Sequence, residues 1–192
     1  VSQPLEAFKN CFRIPELKQR MLFTLGMIAL YRLGAFIPTP GIDGTALARA
    51  MSRTGGGVLG FYDLFTGGAF QQATVFALGI MPYISASIIM QLLVAVIPAL
   101  EKLSKEGAEG QKKITEYTRY GTILLCIIQS FGTAVMLQNM SGDGETPIVP
   151  NPGILYYVAC MISFTTGTAF IMWLGEQISE RGIGNGISLI IF

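Results

Sequence analysis

Few residues in this 192-residue chain have the type and spacing to do chemistry, and most of them exclude more than they offer. "GIGNGIS" at 182–188 and "GAEGQKK" at 107–113 have the glycine density of phosphate-binding loops. Such a loop works between a strand and a helix, with a Lys-Ser/Thr pair for the phosphates and their metal. The first pattern follows a helical stretch and lacks that pair; the second misses the spacing. Gly182, Gly184 and Gly186 are better read as a sharp, flexible entry into the last helix. There is no histidine, and Cys11, Cys126 and Cys160 are scattered too widely for a zinc site or a disulfide framework. Cys126 and Cys160 read as small apolar fillers. No nucleophile–base pair is visible, so an enzyme is not expected. Neither is a metal or a cofactor.

One pattern remains. Ile80, Ile84 and Ile88 recur at i, i+4 and i+8 within "FALGIMPYISASIIMQLL" (76–93), and Ile187 and Ile191 repeat the interval near the chain's end. Residues four apart share a helix face. Stiff, β-branched side chains facing a pore make a narrow apolar neck that closes by dewetting. Such a neck ligates nothing and suits a large, chemically varied substrate. The same isoleucines also suit ordinary packing or lipid contact. Gly79, Pro82, Ser85, Ala86 and Ser87 make this helix kinkable and able to pack closely.

These residues must be positioned by membrane helices. Charged residues make up 13% of the chain, against about 25% in a typical soluble domain. Residues 64–100, 120–142 and 146–175 carry no Asp, Glu, Lys or Arg. Each run exceeds the ~20 residues that cross a bilayer. Spans are expected at 21–37, 74–97, 120–140 and 154–175, with a fifth beginning at 183 and ending inside the span at Phe192. Residues 1–20, through "PLEAFKNCF", read as an amphipathic segment at a membrane surface. "VLGFYDLFTGGAF" (58–70) is apolar but too short to span, so it suits a re-entrant piece or a loop resting on lipid. No charge lies deep in the second, third or fourth span, which argues against a proton-driven pump.

Ten of the 13 basic residues fall on one side, in the N-terminal tail, the 98–119 loop and the 176–182 turn. Arg32, Arg49 and Arg53 lie on the other. The positive-inside rule makes the N-terminus cytoplasmic. The net charge of +1 gives no electrostatic footprint for nucleic acid.

The stretches "GAFIPTPGID" (34–43), "FTGGAF" (65–70), "FALGIMPYISASIIMQLL" (76–93), "EGQKKITEYTRYGT" (109–122) and "MWLGEQISERGIGNGISLIIF" (172–192) closely resemble the SecY family of bacterial protein-conducting channels. The resemblance covers nearly the whole chain. It implies an all-α, polytopic membrane helix bundle, the first half of a pseudosymmetric two-half channel with a short re-entrant plug helix. By motif, Phe61, Tyr62, Asp63, Leu64, Phe65, Thr66, Gly67, Gly68, Ala69 and Phe70 correspond to the plug. Ile80, Ile84, Ile187 and Ile191 correspond to the pore ring. Ser85, Ser87, Gln91 and Gln129 correspond, less directly, to one side of a lateral gate.

The resemblance further implies passage of unfolded polypeptide across a bacterial inner membrane, with lateral release of apolar segments into the lipid bilayer. Implied partners are SecE and SecG subunits, a SecA motor or ribosome, and signal peptides with their nascent chains. The second half and the large cytoplasmic loops of the family are absent from these residues, as is an initiator methionine, so the chain reads as a fragment. Two other readings stay open from the residues alone: a secondary transporter of small solutes built from inverted repeats, and a non-transporting scaffold for membrane assembly.

Overall fold

A computed structural model describes residues 14–53, 57–140 and 147–191. The expected amphipathic segment lies largely outside them, as does Cys11. Among the described residues the architecture is helical: α1 (Pro15–Gly34), α2 (Gly44–Arg53), α3 (Val58–Phe65), α4 (Met81–Val96), α5 (Pro98–Lys105), α6 (Ala108–Met140), α7 (Ile154–Arg181) and α8 (Gly186–Ile191). No strand occurs among the described residues; Pro38 and Thr74 form an isolated antiparallel bridge.

Proline sets several starts. Pro15 and Pro98 stand at the heads of α1 and α5, and Pro82 lies just inside α4. A fixed φ and a missing N–H cost nothing in a first turn. α1 also carries Glu16 in its first turn and Arg32 in its last, matching the helix dipole. α2 is capped by Asp43, whose Oδ1 accepts from the Thr45 hydroxyl at 2.7 Å and from the N–H groups of Thr45 and Ala46 at 2.9 and 3.3 Å. Those bonds, the Thr45 hydroxyl foremost, hold the Asp43 carboxyl below the usual aspartate range.

α6 and α7 are long and apolar enough to cross a membrane. At 33 residues α6 is about 50 Å long, well beyond the ~30 Å of hydrocarbon. Its polar start, "EGQKKITEYTR", therefore extends past the bilayer. The expected loop at 98–119 is mostly helix. α5 turns back from α4 by 100° at Pro98 and packs beside α6. Gly110 makes that hairpin possible, because a Cβ there would lie 1.7 Å from the Leu103 carbonyl oxygen.

The expected span at 74–97 is helical only from Met81. Residues 66–80 form a chain of tight turns, with Gly67, Gly68, Ala73 and Gly79 at positive φ. Val75 N–H donates to the Ile37 carbonyl at 3.0 Å, and Thr39 N–H to that of Ala73 at 2.9 Å. The segment's apolar side chains divide between two cores. Phe70, Ala73, Ala77 and Leu78 join α2, α6 and α7 around Leu47, Leu137, Tyr156 and Phe164. Ala69, Phe76 and Ile80 join α1, α7 and α8 around Tyr31, Ile171, Leu174 and Ile178. α7 approaches so closely that a Cβ on Gly167 would sit 2.1 Å from the Val75 carbonyl oxygen. Irregular backbone at this depth is tolerated because protein covers it.

Two buried hydroxyls of α6 are satisfied locally. Thr118 and Thr122 donate to the carbonyls of Ile114 and Thr118 one turn back. Cys126 and Cys160 are free and buried, in keeping with filler roles. At the other end of α6 and α7, Tyr156 donates to the Ala134 carbonyl at 3.2 Å, and Tyr157 bonds Gln138. Outward faces of both helices expose Leu124, Ile128, Phe131, Ile154, Leu155 and Ile162, as lipid contact requires.

Candidate functional site: an isoleucine cluster beside an anchored turn

Gly79, at φ +56°, delivers the chain into α4. Ile80 is the N-cap residue of that helix, and its carbonyl accepts from both Tyr83 and Ile84. At the far end of the sequence, Asn185 caps α8, its Oδ1 accepting from Ile187 and Ser188 N–H at 3.1 and 3.4 Å. The three glycines of "GIGNG" divide their work. Gly184 alone takes a left-handed φ, +75°. Gly182 and Gly186 serve close approach instead. A Cβ on Gly182 would lie 2.5 Å from Thr24 Oγ1, and one on Gly186 2.1 Å from the Gly175 carbonyl oxygen. Ser179 Oγ then accepts Gly186 N–H at 2.9 Å, pinning the turn to α7.

This folding brings Ile80, Ile84, Ile187 and Ile191 into one apolar cluster. Ile80 is 3% exposed, and the other three are half-buried at the cluster's edge. Ile88, on the same helix one turn further, is 53% exposed and outside it. Two helix starts more than 100 residues apart in sequence thus present paired isoleucines to the same place. What the arrangement can do is exclude water; it offers no ligand and no proton.

The segment corresponding to the plug has two unequal parts. In α3, Phe61 is 67% and Leu64 74% exposed, and Phe65 is also exposed. The side chain of Tyr62 lies outside the described ones. From Thr66 onward the segment is held. Thr66 is 1% exposed, and Ala69 and Phe70 are equally buried. The Tyr31 hydroxyl donates to the Thr66 carbonyl and Arg32 Nη1 to that of Gly67, each at 3.4 Å. Asp63 Oδ1 accepts Gln71 N–H at 2.9 Å, and its carbonyl accepts Gly68 N–H at 3.0 Å. The apolar helix is thus presented on an anchored stalk.

Of the residues likened to a lateral gate, Ser87 and Gln91 come together. Gln91 Nε2 donates to Ser87 Oγ at 3.5 Å, and both line a polar groove of about 330 Å³ with Tyr83, Ser104, Gln111 and Thr118. Ser85 and Gln129 are half-buried and do not line that groove.

Sequence reasoning missed the ion pair that joins α6 to α7. Arg119 Nε donates to Glu176 Oε1 at 2.8 Å, joining α6 to α7. The signal was present, because Arg119 opens the uncharged run 120–142 and Glu176 closes the run 146–175. Two antiparallel neighbours place those boundaries on the same side of the membrane.

Among the described residues, a helical bundle with two apolar candidate spans, an isoleucine cluster and a short exposed helix on an anchored stalk defines the class: a multi-pass membrane helix bundle. Solved structures share it. The chain superposes on Sec61 in the canine ribosome-channel complex from the endoplasmic reticulum with a TM-score of 0.63 at 21% identity, over 91% of this chain and 35% of that one. A SecY structure described through its plug domain, said to stabilise the closed state and maintain a membrane seal, gives 0.58 at 22% identity, over 90% and 34%. The SecY family model matches residues 74–192, and the chain belongs to the SecY family. It is 54% identical to the protein translocase subunit SecY of Escherichia coli K12, over 92% of this chain and 40% of that protein. It is 50% identical to that of Thermus thermophilus, over 98% and 43%. The chain spans less than half the length of these relatives.

Proposed function

We propose that this chain forms the first half of a protein-conducting channel, which passes unfolded polypeptide across the membrane and releases apolar segments sideways into lipid. The observation that carries this reading is the convergence of Ile80, Ile84, Ile187 and Ile191 on one apolar cluster. A neck lined by stiff aliphatic side chains disfavours water at rest yet accepts any side chain threaded through it. Plug residues 61–70 cover the neck on the outer side, and Ser85, Ser87, Gln91 and Gln129 lie along the lateral exit. The work of transport comes from outside the chain, from a SecA-type motor or a ribosome, with SecE and SecG completing the assembly and signal peptides opening it. The subunit itself is not an enzyme. The bias of basic residues supports a cytoplasmic N-terminus and 98–119 segment in a bacterial inner-membrane protein. No observation favours the small-solute transporter.

Crosslinking tests the reading. In a complete channel, a secretory polypeptide arrested halfway should crosslink to cysteines placed at Ile84 and Ile187, and not to one at lipid-facing Leu124. Equal capture at Leu124, or none at the isoleucines, contradicts it.

A further inference from the structure

The Arg119–Glu176 pair joins α6 to α7, and α7 packs against the cluster that holds the isoleucines of α4 and α8. On α7, Ile171, Leu174 and Ile178 form a stripe at i, i+3 and i+7 that packs into the isoleucine cluster. Gly175, between them, receives α8: a Cβ there would lie 3.1 Å from Ile187 Cγ1, and its carbonyl oxygen abuts Gly186. The next residue, Glu176, turns to α6 and takes the Arg119 guanidinium at 2.8 Å. Two consecutive residues therefore fix the rotation of α7 about its own axis, one against α8 and one against α6. Tyr83, the residue before Ile84, packs against the same cluster and lies within electrostatic range of both Arg119 and Glu176. Glu176 is largely shielded, its side chain 15% exposed against 43% for Arg119. Arg119 also lies within range of Glu116 and Glu180, so its charge is directed by carboxylates on both helices.

Ser179 of α7 holds Gly186 of α8, and Tyr156 and Tyr157 tie the far end of α7 to α6. At the level of Gly175 itself the contacts with α8 are made by a glycine and by aliphatic side chains, which resist separation better than small rotations. A charge-assisted hydrogen bond to a guanidinium is directional and adds a constraint at that level from the α6 side. Rotating α7 by a fraction of a turn would carry Ile171, Leu174 and Ile178 away from Ile80 and shift α8 with them.

We propose that Arg119 and Glu176 are positioning residues that hold the two isoleucine pairs in register at rest, so that breaking the pair loosens the seal without removing any sealing side chain. The inference rests on the channel reading above. Its test is a charge-swap cycle in a complete channel, read as resting conductance per channel in planar bilayers. Glu176→Arg and Arg119→Glu should each raise the leak about fivefold, the scale of a partly exposed ion pair near 1 kcal/mol. The double swap should return it to within about twofold of the parent. Glu176→Gln, which keeps shape and adds no repulsion, covers the case in which a reversed charge prevents insertion, and it should leak comparably. Arg119→Lys should fall between parent and Glu176→Gln. An unchanged leak in folded Glu176→Gln overturns the proposal, as does a double swap that leaks like the single ones. The pair Ile80→Gly with Ile84→Gly runs in parallel. If it leaks while the Glu176 and Arg119 variants do not, the latch alone falls; if it too stays sealed, the channel reading falls with it.

Discussion

Thr66 packs directly against Gly79: a Cβ built on Gly79 would lie 3.1 Å from the Thr66 methyl, and Gly79 immediately precedes Ile80. The stalk below α3 therefore touches the residue that leads into Ile80. Gly79 also gives its carbonyl to the Thr168 hydroxyl of α7 at 3.3 Å, so the junction is held from two sides.

Gly79→Ala tests that junction. The position combines a φ of +56° with the crowded Thr66 methyl, so alanine is strained by backbone and by neighbour alike. The expected cost is about 1–2 kcal/mol. Thermal unfolding of the purified complete channel should show a lowered midpoint, accompanied by a raised resting leak. A variant as stable and as tight as the parent contradicts the described junction.

The plug segment should divide functionally where it divides structurally. Removing 58–65 takes away the exposed side chains of Phe61, Leu64 and Phe65 and the Asp63 bonds to Gly68 and Gln71, but no residue of either core, so the channel should still assemble and leak more. Phe70→Ala instead empties a fully buried site and should cost about 3–5 kcal/mol. Reduced assembled channel after detergent extraction is the expected readout. If removal of 58–65 leaves the leak unchanged, α3 is a surface element and not a plug.

Acid should release the cap of α2. The Asp43 carboxyl is held below the ordinary aspartate pKa of about 3.9 by the Thr45 hydroxyl and the Ala46 and Thr45 N–H groups. A depressed folded-state value means that the cap stabilises above the unfolded pKa and is lost as pH falls through the folded one. NMR titration of a carboxyl-labelled sample should place the Asp43 midpoint below about 3.9, and Thr45→Val should move it upward. A midpoint at or above the ordinary value contradicts the cap.

The bias of basic residues predicts the orientation. A cysteine at Lys112 should react with an impermeant reagent from the cytoplasmic face, and one at Asn151 only from the opposite face. Reversed labelling overturns the assignment.

The two long helices were legible because charge-free runs 120–142 and 146–175 admit little but membrane helix. The isoleucine interval at 80 and 84 was legible because four residues make about one helical turn, which puts both side chains on one face. The turns at 66–80 were not. Their composition is that of a span, and what unwinds them is tertiary: left-handed Ala73 and Gly79, the bridge to Pro38, and Gly167 opening α7 to the Val75 carbonyl. An alanine at positive φ carries no warning in its type. The loop expected at 98–119 erred oppositely, because polar composition marks the end of a membrane span but not the end of a helix, and α6 runs on into water. The convergence of Ile187 and Ile191 with Ile80 and Ile84 came only through family resemblance, since no local pattern pairs residues so far apart. Arg119 and Glu176 were each visible as a boundary charge; their pairing needed the antiparallel packing of α6 and α7.

Resting conductance of single complete channels in planar bilayers bears most directly on the apolar neck. With Ile80 and Ile84 both replaced by glycine, the neck widens and loses its stiff walls, and the ion leak should rise clearly above the parent's. Ile88→Gly, outside the cluster on the same helix, should leave the channel as tight as the parent. If Ile88→Gly leaks as much as the double replacement, the isoleucines at 80 and 84 are ordinary packing and the neck is not where the chain seals.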